Sequence, residues 1–534
     1  MLIRSIVRRF SSDIAKTSRR AVKGKILLGI AASGLTYDGA INDFGTTQAT
    51  TRFLRSLRIA ASISLDYTFS LMGLEEGSPE YDAKKKEVHQ RSATRMLKGC
   101  LANGGLYIKV GQGFATINHI LPPEYTETLQ KLHNECLTRK KDEVKKVFLE
   151  EFGQKPEELF EEFNYEPIAA ASLAQVFEAK TKDGEKVAVK VQYIDLQKRF
   201  AGDLGTIIFL QDIIELIHKN YNFGWVIRDL RRNLEKELDF VNEGKNAERC
   251  AADLAKFSYV YVPKVRWDLT NTKILTTEFI DGIKMNQTEE LKRQGFNLAE
   301  LDVKIFTTFS EQIFNTGFVH GDPHPGNVLI RQGKGKRAEL VLLDHGLYEN
   351  VPEDVRNSLC HFWEAIVLKD HKTMKEYATK LNVKDHYRFA EILLQRPLEA
   401  KGKFTTRLTD EEIAYMQKIA RKRFDLIMET LKEMPRNLIF IVRNLNIIRA
   451  VARDHGDPVN RPKVMARHAV KYIHREGGII AGFFNLLHRF HFELALFRMS
   501  FQYWCITTYL SLLTKLGRAP ETKSLFQINT ENRT

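Results

Sequence analysis

Apolar residues recur at three- and four-residue spacing through residues 50–135, with few breakers before LPPEY at 121–125, and this pattern predicts helices. Residues 139–163 read as a second, charged helical zone. The period then changes. ASLAQVFEAKTKDGEKVAVKVQ (171–192) holds two strand-like runs, around Val176 and around Val187–Val191. TKDGEK between them reads as a hairpin turn with Asp183-Gly184 at its tip. A long helical zone is expected over 195–255. VYVPKVRW and KILTTEFI follow as two more strand candidates. From 297 onward the pattern is mostly helical, broken by GFVHGDPHPGNVLI (317–330) and VLLDHGL (341–347). No internal repeat or low-complexity tract is visible. A small β-containing lobe followed by a larger helical lobe, an α+β chain, is the natural reading.

The chain has 534 residues and is 43% hydrophobic, enough for two or more lobes with a sizeable core. Cys100, Cys136, Cys250, Cys360 and Cys505 form no CxxC pair, which argues against a disulfide scaffold or a zinc module. The net charge of +14 is uneven: residues 1–25 and 418–518 carry the basic excess and the remainder is net acidic. A basic excess near both ends suits targeting at one end and an anionic membrane surface at the other. A solvated helical surface explains the second excess equally well. No motif for reading nucleic acid is present.

MLIRSIVRRFSSDIAKTSRR interleaves Leu2, Ile3, Ile6, Val7 and Phe10 with Arg4, Arg8 and Arg9, the composition of an amphipathic mitochondrial presequence. A basic helix would look the same. ILLGIAASGL (26–35) falls short of the roughly 20 apolar residues a spanning helix needs. Near the other end, Met499–Thr514 carries no charge but is also short for a span. Residues 478–516 are expected either as a core helix of the large lobe, which is slightly favoured, or as a membrane-facing helix.

The stretch GFVHGDPHPGNVLI poses the chemical question. The two prolines and two glycines of its middle, HGDPHPGN, set a rigid loop between apolar runs, with Asp322 and Asn327 five residues apart. Upstream, Lys190 closes VAVK on the second hairpin strand. Downstream, Asp344 opens DHG after another apolar run. Phosphoryl transfer asks for these parts: a strand lysine on the phosphates, a helix acid to orient it, a loop aspartate at the acceptor hydroxyl, and Asn and Asp oxygens for Mg²⁺. Each piece alone is weak, and the order strengthens them. His320 reads as a structural histidine. His324 and His345 read as packing or hydrogen-bonding residues more than metal ligands. For the lysine's partner, ELDFVNEGKN (237–246) offers Glu237, Asp239 and Glu243, of which Glu237 and Asp239 diverge on a helix. The loop over the phosphates, IAAASLAQV (168–176), has alanines where protein kinases use glycines, so its Cβ atoms restrict positive φ and hold it slightly away.

These residues together resemble the UbiB family of atypical protein kinases, the aarF-domain-containing kinases, over about residues 85–475. The alanine-rich loop, Lys190, KxGQ at Lys109–Gln112, ExD at Glu237 and Asp239, HxD at His320 and Asp322, Asn327, and DxG at Asp344 carry the resemblance. It implies a protein-kinase-like bilobal fold with a small β-containing N-lobe, a large helical C-lobe and an N-terminal helical extension covering the active site. The implied segments are a presequence (1–25), a helical, membrane-proximal extension (26–84), the KxGQ extension (85–155), the N-lobe with a helical insert (156–285), the C-lobe (286–516) and a disordered tail (517–534).

The implied cofactors are ATP and Mg²⁺. Asp322, Lys190 and Glu243 would be catalytic, and Asn327 and Asp344 would hold the metal. Ile168, Ala169, Ala170, Ala171, Ser172, Leu173, Ala174, Gln175, Val176, Lys190, Glu278 and Phe279 would line the nucleotide, the last two with Thr276 and Thr277 as the hinge. Lys109, Gln112, Glu237 and Asp239 would be regulatory. The implied role is ATP turnover on a small-molecule or lipid-linked target, in coenzyme Q or lipid handling at the mitochondrial inner membrane. Inner-membrane lipids are the expected partners, with protein partners left open. Peptide phosphorylation is disfavoured, because Gly321 stands where protein kinases place the HRD arginine and no APE-like segment follows DHG.

A nucleotide-binding scaffold needing little catalysis is the rival, and it separates from the enzyme at Asp322. A kinase of the aminoglycoside or choline type also carries HGDxHxxN-type loops, but leaves KxGQ, the alanine loop and the presequence unexplained.

Overall fold

The computed structural model describes residues 45–75, 77–116, 121–133, 141–170, 173–194, 196–217, 236–333, 335, 337–396, 398, 434–473 and 478–515. The stretch expected as a presequence (1–25), residues 26–35, Ala171, Ser172 and the tail beyond 516 lie outside them. The chain divides into two units.

The first unit is helical. It holds α1 (Gly45–Ser70), α2 (Pro79–Asn103), α3 (Leu106–Thr116) and α4 (Pro123–Leu129). It is rejoined, after α5 (Lys141–Phe152) and three strands of the other unit, by α6 (Leu196–Ile217). Local rules set α2: Ser78 caps it by accepting the Tyr81 N–H at 3.1 Å, Pro79 opens it, and Glu80 and Asp82 sit at the positive end of its dipole. Gly104, at φ 69°, ends it. Leu97, Cys100, Tyr107, Ile108, Leu129 and Leu132 form the local core. KxGQ lies on α3. A Cβ on Gly111 would stand 2.3 Å from Leu132 Cδ1 and 3.1 Å from Cys100 Sγ, so only glycine admits this close approach. Gln112 donates to the Leu132 carbonyl at 2.9 Å. Arg52 of α1 and Asp203 of α6 make a buried ion pair at 2.8 Å.

The second unit begins with a four-stranded antiparallel sheet in the order β1 (Phe160–Ala170), β2 (Ala174–Thr181), β3 (Lys186–Gln192), β5 (Ile274–Glu278). The β2–β3 turn is where the sequence places it: Gly184 takes φ 86° and donates to the Thr181 carbonyl at 2.9 Å. Alternation along β3 sends Val187, Val189 and Val191 into a core with Phe148 of α5, Phe160 and Phe177. Lys190, between two of them, therefore points to the opposite face.

Strand β1 corrects two expectations. Residues 160–163 are extended, not helical, and Ile168, Ala169 and Ala170 belong to the strand rather than to a free loop, with Ala169 opposite Val176 and Ala170 opposite Gln175. Phe160 and Phe163 pack on Phe148 and drive the extended form. Pro167 is tolerated because β1 is an edge strand with shifted register on either side of it.

Helix α7 (Phe240–Leu254) follows. A second sheet has the order β4 (Val260–Tyr261), β9 (Ala338–Leu342), β8 (Val328–Gln332), β6 (Ile283–Lys284), and β7 (Phe318–His320) pairs with β10 (Tyr348–Asn350); β4 lies in the strand candidate VYVPKVRW, and β7, β8 and β9 lie at or beside the two breaks in the helical pattern after residue 297. The larger helices of this unit are then α8 (Leu298–Ser310), α9 (Glu353–Leu368), α10 (His371–Lys380), α11 (His386–Leu394), α12 (Arg436–Asp454), α13 (Arg461–Tyr472) and α14 (Gly478–Lys515). Trp363, Phe306, Phe309, Phe389 and Phe440 fill the helical core.

The slight preference for residues 478–516 as a core helix does not hold. Phe492 and Leu496 are buried, but Phe483, Phe484, Leu486, Phe490 (68% exposed), Leu494, Phe497, Phe501, Trp504 and Tyr509 face outward. Apolar residues surround α14, and the neighbouring helix covers only one line of them. Among the described residues no helix is long and apolar enough to cross a membrane.

Candidate active site

Three elements deliver one charged cluster. Lys190 leaves β3, and Glu243 leaves the first turn of α7. The Asp239 side chain caps that helix, accepting from Val241 N at 3.0 Å and Asn242 N at 3.2 Å. Gln192 ties the helix start to the sheet by donating to the Leu238 carbonyl at 2.6 Å. The Lys190 ammonium then meets Glu243 Oε1 at 2.7 Å, Oε2 at 2.9 Å and Asp344 Oδ1 at 3.2 Å. It also stands 5.0 Å from the centre of the Phe240 ring.

The side chains are 20% exposed for Lys190, 4% for Glu243 and 46% for Asp344. Burial alone would pull the lysine pKa down, but the charges of Asp344 and Glu243 outweigh it and hold it above its usual value. Burial pushes the Glu243 carboxyl up to about 7, against the pull of Lys190. Two carboxylates share one ammonium, so the cluster has negative charge to spare.

The ExD acids part company. Asp239 is spent on its helix cap. Glu237 reaches the cluster: a Cβ on Gly346 would lie 3.5 Å from Asp344 Oδ1, 3.6 Å from Glu243 Oε2 and 3.7 Å from Glu237 Cγ.

The loop after β7 is held from within. His320 is buried, which lowers its pKa, and its Nδ1 accepts the Asp322 N–H at 3.1 Å. The His324 N–H bonds the Asp322 carbonyl at 2.7 Å, and His324 Nδ1 accepts from Gly326 N at 3.2 Å. The Leu343 N–H reaches the Asn327 carbonyl at 2.8 Å, and Val328 pairs with Leu342, so Asn327 and Asp344 stand at neighbouring ends of β8 and β9. Asp344 takes φ 56°, a left-handed conformation that asparagine and aspartate tolerate better than most residues. His345 is buried, and that burial drops its pKa to about 3. Its Nε2 donates to the Leu342 carbonyl at 3.1 Å, and its Nδ1 faces the Tyr348 hydroxyl at 2.9 Å. The three histidines are scaffolding.

Asn327 Nδ2 lies 3.5 Å from Asp344 Oδ2, too long for a firm hydrogen bond. With the amide turned over, its oxygen would face the carboxylate, an arrangement that a hard cation between them stabilises. Among the described residues no group of three His, Cys, Asp or Glu side chains is arranged to hold a metal alone. The pair suits Mg²⁺, which keeps waters and phosphate oxygens around one or two protein ligands.

The other expected site residues fall as follows. Leu173, Ala174 and Gln175 are buried. Ala174 packs with Phe240 and Leu275. Of the hinge, the Glu278 N–H donates to the Lys264 carbonyl at 2.9 Å, and the Phe279 N–H to the Lys186 carbonyl at 3.1 Å. Lys109 and Gln112 belong to the first unit. Residues with no sequence signal also shape the loop: Asn444 Nδ2 of α12 donates to the His320 carbonyl at 2.8 Å, and Arg443 lies 3.6 Å from Asp322. A gap of over a hundred residues hid them.

The family model for the ABC1 atypical kinase-like domain matches residues 131–378. The protein named "Probable serine/threonine-protein kinase abkD" of Dictyostelium discoideum is 37% identical over 520 residues, 96% of this chain and 74% of its own. AarF domain-containing protein kinase 1 of Xenopus laevis is 36% identical over 419 residues, 78% of this chain and 80% of its own. A solved complex of Rv3197 with erythromycin, from Mycobacterium tuberculosis, superposes with a TM-score of 0.41 at 22% identity, covering 70% of this chain and 97% of that one. With relatives at such identity over most of its length, and with the strand lysine, helix glutamate and post-strand aspartate in mutual contact, the chain belongs to the ABC1 atypical kinases, the aarF-domain kinases, and its α+β fold is kinase-like.

Proposed function

We propose that this protein binds Mg²⁺·ATP and acts as a slow phosphotransferase or ATPase on a small-molecule or lipid-linked acceptor, in mitochondrial lipid or coenzyme Q homeostasis and membrane organisation. The observation that carries the reading is the convergence of Lys190, Glu243 and Asp344 within 3.2 Å. Lys190, held charged, would donate to the α- and β-phosphate oxygens, and Glu243 would orient it. Asn327 and Asp344 would hold Mg²⁺, which supplies positive charge to the phosphates. Asp322 would accept the acceptor's hydroxyl proton as the new O–P bond forms and the bond to the leaving ADP oxygen breaks. Gly321 in place of a loop arginine favours targets other than peptides.

A membrane partner is favoured by α14. A helix with nine or more large apolar side chains facing outward, and with Arg489, Arg498 and Lys515 along it, suits the headgroup boundary of an anionic bilayer.

The test is ATP turnover by the purified full chain, with and without cardiolipin-containing vesicles. The expected result is turnover that Asp344→Asn abolishes and vesicles raise. Tight ATP binding without turnover, together with full biological rescue by Asp322→Asn, would replace the enzyme by the nucleotide-binding scaffold.

A further inference from the structure

The loop from Asp322 to Asn327 contains no lysine or arginine. Lys190 is committed at the other end of the cluster, to Glu243 and Asp344. A transferring phosphoryl group spreads negative charge over three oxygens, and Asp322 brings a further carboxylate to the acceptor side. An approach of like charges needs a fixed cation nearby.

Helix α12 supplies one through three residues on a single face, at spacings of three and four. Phe440 packs on Gly321: a Cβ there would stand 2.9 Å from Phe440 Cε1 and 2.7 Å from Leu347 Cγ. Position 321 is therefore closed to the arginine that protein kinases carry in this loop. Asn444, fully buried, grips the His320 carbonyl at 2.8 Å. Between them Arg443 brings its guanidinium to 3.6 Å from Asp322 Oδ2, with both side chains about 30% exposed. Successive loop residues 320, 321 and 322 are thus each met by α12, and the placement of Arg443 follows from two packing contacts that do not involve its charge.

We propose that Arg443 is the positioning residue for Asp322: it aims the loop carboxylate at the acceptor and offsets its charge as the phosphoryl group arrives. The proposal rests on the phosphotransferase or ATPase reading above.

The test uses the full chain and four variants: Arg443→Gln, Arg443→Lys, Asp322→Asn, and the Asp322→Asn/Arg443→Gln double variant. Three quantities are measured: ATP turnover, the dissociation constant for Mg²⁺·ADP, and the melting temperature. Arg443→Gln is expected to lower kcat by about ten- to a hundredfold, below the roughly 10²–10⁴-fold that a general acid–base group itself contributes, because Asp322 stays in place. Nucleotide affinity should stay within about twofold, because the perturbed group lies on the acceptor side. Arg443→Lys should recover part of the rate. The double variant should be no slower than Asp322→Asn, because two residues acting as a unit are not additive. Wild-type turnover in Arg443→Gln overturns the proposal, as does full additivity. So does a rate loss that merely tracks a fall in melting temperature. If the wild type binds nucleotide and turns it over while Arg443→Gln is unchanged, the phosphotransferase or ATPase reading survives and only this inference fails. If the wild type neither binds nor hydrolyses ATP, both fail.

Discussion

Lys190→Met removes the cation that Glu243 and Asp344 share. In the wild type the ammonium lies 2.7 and 2.9 Å from one carboxylate and 3.2 Å from the other. Truncating one partner of a buried pair costs about 3–5 kcal/mol. Asp344 is nearly half exposed, so water screens its share, and the loss should be about 2–3 kcal/mol at pH 8. The pH dependence has a definite sign. The Glu243 carboxyl already stands at about 7, above its ordinary 4.5, so the folded chain binds an extra proton between those values. Its contribution to stability is full below 4.5 and is lost as pH rises through about 7. Without Lys190 the carboxyl rises further, and protonation relieves the variant by about 1.4 kcal/mol for each pH unit below its new value. Thermal melts of the two proteins at pH 6 and pH 8 are the assay. The expected deficit at pH 8 is roughly 3–4 °C for a unit of several hundred residues, shrinking by about half at pH 6. Glu243→Gln in the same chain should restore most of it. A deficit equal at both pH values, or no rescue by Glu243→Gln, would refute the shared-cation account.

Three further outcomes follow from packing. Gly111→Ala should destabilise the first unit by about 1–3 kcal/mol, since its methyl group meets Leu132 and Cys100, and Leu132→Ala should relieve part of this in the double variant; denaturant titration followed in the helical signal measures both. Asn444→Ala should leave the buried His320 carbonyl without its donor, at about 1–3 kcal/mol, and raise amide exchange across the loop 318–322. Arg52→Ala should destabilise by about 3–5 kcal/mol by stranding buried Asp203, whereas replacing both members by apolar residues should be much milder in the same melts.

The chemistry-bearing residues were legible because each sits at a local signal. Lys190 follows alternating valines beside a DG turn, Asp322 and Asn327 lie in a Pro/Gly loop, and Asp344 opens a short motif after an apolar run. The partner acid was legible as a choice among Glu237, Asp239 and Glu243. Strand β1 was misread because its glutamates and its proline imitate a helix end followed by a loop. Its extended form depends on Phe148, which lies on another element. The exposure of α14 escaped the reading because an all-round apolar helix looks the same whether neighbours cover it or not.

What the sequence by itself determined was local: the hairpin and its turn, the strand lysine, the rigid loop, the capped helices, and hence the kinase-like set of parts. Tertiary structure decided which acid meets Lys190, why Asp239 turns to its own helix, why position 321 admits only glycine, and which cation faces Asp322. The physical reason is that turns, caps and alternation depend on neighbours in the chain. Electrostatic pairing and close packing depend on neighbours in space, and here those come from segments separated by 53 to 154 residues.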